Sequence, residues 1–157
     1  MPKLLKDFLF LPTPPPRLRP GGKTRKTSVS MRCEHVPAGA ATQRYSTKLA
    51  DEQEVMAALA DMIAEVLTME SVVLRADKMA AKGTAEVGVT LARLYAAGSM
   101  DKVELAARKV LAAVAEGDAL RTQMAILRRL AKHEPADTVA LGREAAAHMV
   151  KAGKYSV

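Results

Sequence analysis

The chain has 157 residues and a formal net charge of +7. That length suits one ordinary domain with a tail. Hydrophobic residues make up 49% but aromatics only 3%, so the apolar content is aliphatic and favours helices over a β-sandwich or barrel.

The charge sits at the N-terminal end. The first fifty residues hold ten Lys/Arg against Asp7 and Glu34, a net +8, and the remainder sums to −1. Proline follows the same division, with only Pro135 beyond Pro37. Leu11 to Pro20 reads as polyproline-like, because proline fixes φ and lacks a donor. Gly21 to Ser30 is polar and Gly/Lys/Thr/Ser-rich, a composition that stays disordered. The reading takes residues 1–48 as a disordered basic segment. Three origins compete for it: a basic arm, an organelle transit sequence suggested by MPKLLKDFLFL, and non-native coding joined to a real domain. The abrupt composition change near Ala50 suits the last best.

Two motif-like fragments in this stretch carry little. Gly22-Lys23-Thr24 resembles the end of a phosphate-binding loop, but Arg17 stands where the leading glycine belongs and no strand precedes it. Cys33 and His35 are too few for a structural zinc, and His133 and His148 lie far along the chain. The single cysteine has no internal disulfide partner, which fits a reducing compartment.

From Asp51 the pattern becomes helical. Val55, Leu59, Met62, Val66, Met69, Val73, Ala76 and Ala80 recur at alternating steps of four and three, an a/d stripe. Ile63, Leu67 and Leu74 widen its apolar face, so this helix should pack against more than one neighbour. Gly83 ends it. A second helix runs from about Thr84 to Ala97, with Val87, Leu91, Leu94 and Tyr95 inward and Gly98 as stop. A third starts from the N-cap Ser99 and reaches Glu116, with Val103, Ala107, Val110, Leu111 and Val114 inward. Gly117 breaks it and Asp118 caps a fourth, about 119–133, which presents Leu120, Met124, Leu127 and Ala131. Pro135 separates a last helix, about 136–152, with Val139, Ala146, Met149 and Val150 inward and Gly153 as C-terminal cap. Short loops between such helices give an all-α, antiparallel up-and-down bundle of four to five helices.

No cluster has the composition of an active site. Glu70 and Asp77 border the first stripe a heptad apart; either is a candidate buried acid with a raised pKa, though such residues more often pair with neighbouring bases such as Arg93 or Arg108. Arg121, Arg128, Arg129 and Lys132 gather on one side of the fourth helix. They form the candidate interaction face, suited to an acidic protein, a phosphate or an anionic lipid. No aromatic is interleaved, which argues against stacking on single-stranded nucleic acid. No apolar run is long enough for a transmembrane helix.

The runs DEQEVMAALADMIAEVLTMESVVLRADKM (51–79) and VELAARKVLAAVAEGDALRTQMAILRRLAKHEPADTVALGREAA (103–146) resemble the C-terminal helical domain of large acyl-CoA dehydrogenases. The bacterial relatives of the very-long-chain type are the most similar. The resemblance covers about 49–155. It implies a parent enzyme of fatty acid β-oxidation that uses FAD and a glutamate base, and a bundle appended to that catalytic body. No catalytic base, FAD ligand or metal ligand carries over to this chain. The expectation is therefore a fragment or orphan C-terminal domain, 49–157, non-catalytic by itself. Its partners would be protein, either the catalytic domains or a second copy, with no nucleic acid and peripheral membrane contact at most, in a bacterial cytoplasm. The alternative is a stand-alone helical interaction module whose basic arm binds an anionic surface or an acidic protein.

Overall fold

The computed structural model describes residues 29–83, 86–133 and 135–154. Five α-helices follow one another: α1 (Val29–Tyr45), α2 (Gln53–Ala81), α3 (Glu86–Val114), α4 (Gly117–Leu130) and α5 (Thr138–Ala152). A 3-10 segment, Ser46–Asp51, joins α1 to α2. No strand occurs among the described residues. The fold is all-α, as the aliphatic composition requires.

The described residues form two compact units. One contains 29–68 and 99–132, that is α1, the first part of α2, the second part of α3, and α4. Its core takes Leu59, Met62 and Val66 from α2, Val103, Ala107, Val110 and Leu111 from α3, and Leu127 from α4. Leu111, Ala107 and Leu127 have no exposed surface at all. The other unit contains 69–98 and 133–154 among its described residues. Met69, Val73 and Ala76 of α2 are buried in it, with Val87, Ala92 and Ala96 of α3 and Ala145 of α5. Seven of the eight stripe residues expected on α2 are buried; Ala80 is exposed.

Four expectations need correction. The first is disorder up to residue 48. Residues 29–45 form α1, and Cys33, Ala40 and Ala41 of that helix belong to the core of the first unit. Of that segment, residues 1–28, with the Gly-Lys-Thr fragment, lie outside the described residues. The reason is the size of the buried side chains. Cys33, Pro37, Ala40 and Ala41 fall at i, i+4, i+7 and i+8, one face of a helix, yet none is a large aliphatic. Pro37 disguises the segment further. It offers no N–H to the Cys33 carbonyl, and such a residue normally signals the end of a helix. Here the proline ring is fully buried.

The second concerns Gly98 and Ser99, read as a stop and a cap. The helix runs through both, so the expected second and third helices are one α3. Ser99 is 1% exposed. Its hydroxyl donates to Glu65 Oε2 at 2.8 Å, so a residue typical of caps serves as a cross-helix link.

The third is the cap of α4. Glu116 holds the N-cap position in extended conformation and makes no side-chain capping bond. Gly117 turns the chain at φ +56, and Asp118 lies in the first turn. Glycine tolerates that left-handed conformation without a Cβ clash.

The fourth is the phase of α5. Val139 is 61% exposed and Val150 82%. Ala146 is exposed too, while Ala145 is buried and Leu141, His148 and Met149 are half-buried. The inward face therefore runs 141, 145, 148, 149, a 4-3-1 spacing that includes a histidine. Asp137 caps this helix by accepting from the Ala140 amide at 2.9 Å, and Gly153 closes it in left-handed conformation, as expected.

Candidate interaction faces

α4 is amphipathic, and its two sides have separate uses. Leu127 and Ala131 are buried, with Leu120 and Met124 packed against the same core. The rest of the helix faces solvent. Arg121 and Arg128 are exposed at the border of the buried side, Arg129 is exposed opposite it, and Lys132 is exposed just past the helix end. At 100° per residue Arg121 and Arg128 share one line, and Arg129 stands about 80–100° round from it. Arg121 Nη1 donates to Asp118 Oδ1 at 3.0 Å, one turn earlier, and both side chains are largely solvated. A pair of that kind contributes little to stability. Arg128 and Arg129 occupy the last turn, where a cation complements the helix dipole. Three of the four residues expected on this face therefore lie on α4, and two of those, Arg128 and Arg129, have an ordinary electrostatic role at its C-terminal end.

One of the two bases expected to pair with Glu70 or Asp77 has another partner. Arg108 Nη2 donates to Glu104 Oε1 on its own helix. The cross-helix polar link in the first unit belongs to Glu65, which sequence reasoning did not single out. It accepts from the Ser99 hydroxyl and from Lys102 Nζ at 2.7 Å, so one carboxylate of α2 holds two successive turns of α3. In the second unit the Thr90 hydroxyl donates to Glu144 Oε1 at 2.8 Å and ties α3 to α5. Thr90 is buried, so its hydroxyl needs that partner. A lone threonine inside an apolar helix face was the available signal.

Two grooves lie within single units. A groove of about 500 Å³ in the first unit is lined by Val36, Gly39 and Gln43 of α1 and by Asp118, Thr122 and Gln123 of α4, among others. The Gln123 carbonyl oxygen is buried without a hydrogen-bond partner. A groove of about 400 Å³ in the second unit lies between Val72, Arg75 and Met79 of α2 and Gly88, Leu91 and Tyr95 of α3. Cys33 is buried while His35 is exposed, so the two do not share a ligand site. Among the described residues no three His, Cys, Asp or Glu side chains come together as a metal site. No described helix is long and apolar enough to cross a membrane.

The helix series and its two small cores thus define an all-α helical domain. The acyl-CoA dehydrogenase C-terminal domain family matches residues 32–129, and the chain belongs to that family. The match begins inside α1. The chain is 36% identical over 123 residues to a probable acyl-CoA dehydrogenase of Bacillus subtilis (strain 168). That alignment spans 76% of this chain and 21% of the Bacillus protein. A crystal structure of acyl-CoA dehydrogenase complexed with FAD from Bacillus anthracis superposes with a TM-score of 0.79 at 30% identity. It covers 82% of this chain, which in turn covers 23% of that structure. The chain therefore spans less than a quarter of the length of these relatives.

Proposed function

We propose that this chain is a non-catalytic packing domain that acts by assembling with the body of an acyl-CoA dehydrogenase. The observation that carries the reading is the match to a C-terminal domain family within about a fifth of a dehydrogenase's length. The Bacillus anthracis relative is complexed with FAD. In a parent enzyme of that kind the flavin and the catalytic base would belong to the body, and this domain would supply surface. The test is direct. The purified chain should have no flavin absorbance and should not reduce a dye with acyl-CoA. A flavin band, or acyl-CoA-dependent reduction, refutes the proposal.

A second reading rests on the exposed Arg128, Arg129 and Lys132 together with the basic residues before α1. In that reading the chain is an interaction module for an anionic surface. It requires binding to acidic lipid vesicles that weakens steeply with salt, because exposed charges are screened over about 10 Å at 0.1 M. Vesicle binding that ignores both salt and removal of residues 1–28 excludes it.

A further inference from the structure

We propose that the exposed face of α2 formed by Met56, Ala60, Ile63 and Leu67 is the surface that seats this domain on the body of an acyl-CoA dehydrogenase. The inference rests on the assembly reading above and gives it a location. α2 is apolar on two sides within the first unit. Val55, Leu59, Met62 and Val66 are buried in the core of that unit. Met56, Ile63 and Leu67 lie on another side and are 42%, 50% and 57% exposed. At 100° per residue these three fall within about 40° of one another, and the stripe is about 16 Å long. Ala60 lies about 20° beyond that arc, with Ala64 and Ala57 further round on the same side; all three are exposed.

No charge interrupts this face. The exposed acids of the same stretch, Glu54 and Asp61, stand about 140° or more round the helix from Met56. Thr68 keeps its hydroxyl on the Ala64 carbonyl at 2.7 Å, so the neighbouring polar group is already satisfied on its own helix. Aliphatic side chains aligned beside small alanines allow close approach of another packed element. Contiguous exposed apolar surface of this kind marks an interaction site.

Charge and chain length choose the occupant. A helix lying on an anionic membrane carries Lys and Arg beside its apolar face. The charged residues of α2 between 53 and 68 are all acidic: Glu54, Asp61 and Glu65. A protein surface remains. The relatives devote more than three quarters of their length to chain that has no counterpart here. That body is a surface of the right kind and size, and the basic face of α4 should stay outside the contact.

The full chain is co-produced with the part of the Bacillus subtilis relative that precedes its matched segment, and the tagged body is purified. Three forms of the chain are compared: wild type, Ile63→Glu/Leu67→Lys, and Arg121→Glu/Arg128→Glu. The wild type and the arginine variant should be retained. Retention of the stripe variant should fall about tenfold or more, as when central apolar contacts of an interface are replaced by charge. Circular dichroism should show the same helix content and melting for all three, since the substituted residues are exposed. An Ile63→Cys variant should react with maleimide in the chain alone and be protected in the complex. Equal retention of all three forms overturns the face and leaves the assembly reading intact. Failure of the wild type to be retained, or a body insoluble with every form, overturns both. A dimer of the chain alone that the stripe variant abolishes, without retention of the wild type, assigns the face to a second copy and overturns the proposal.

Discussion

Ser99 and Gly98 carry opposite signs for stability. Ser99 is buried and needs Glu65 as its acceptor. Replacing Glu65 by Ala should cost about 1–3 kcal/mol, the range for stranding a buried polar group. Ser99→Ala should cost less, and the double variant should be more stable than the two single losses predict. Urea denaturation of the four proteins measures that coupling. Gly98 sits inside α3 at a helical φ, and a Cβ built there meets nothing within 4 Å. Gly98→Ala should therefore stabilise the chain by about 0.5–1 kcal/mol, seen as a higher melting temperature. Gly83 and Gly153 differ, because their φ values of +73 and +65 would strain an alanine.

At the scale of elements, the sequence was most legible where large aliphatics keep a regular step. The stripe of α2 from Val55 to Ala76 and the α3 series Val103 to Val114 are buried as their spacing implies. It was least legible where small residues do the packing. α1 presents cysteine, proline and alanines to its core, a pattern with little amplitude against a polar, basic background. α5 is so rich in alanine that two phases fit almost equally, and the two exposed valines pointed to the wrong one. Gly98-Ser99 misled for another reason. Local preference reads it as a stop and a cap, but the partner that stabilises Ser99 in the helix is Glu65, thirty-four residues earlier. The apolar face of α2 was visible only as a widening of the stripe. Which of its apolar residues stay uncovered depends on packing that the sequence pattern does not specify.

For the whole molecule, α1 changes where a minimal domain begins. A truncation to residues 49–157 removes Cys33, Ala40 and Ala41 from the first unit's core and uncovers what they pack against. It should lose cooperative unfolding and bind a hydrophobic dye. A chain of residues 29–157 should melt cooperatively, and differential scanning calorimetry separates the two outcomes. The net charge also changes meaning. Lys3, Lys6, Arg17, Arg19, Lys23, Arg25 and Lys26 stand against Asp7 alone in residues 1–28, so nearly all of the +7 precedes the first described helix. Removing that segment should bring the isoelectric point close to neutrality and leave the melting of 29–157 unchanged.

Cys33 gives the protein an internal clock. It is the sole thiol of the chain, and it is 1% exposed on the face that α1 turns to the core. A disulfide reagent such as Ellman's can reach its sulfur only when α1 lifts. Under conditions where closing outpaces the reagent, the rate of colour release reports how often that helix comes away and at what free energy. That opening should be rarer than fraying of the helix ends and should quicken with urea well below the global midpoint. A single absorbance trace thus follows the one helix that sequence pattern alone assigned to disorder.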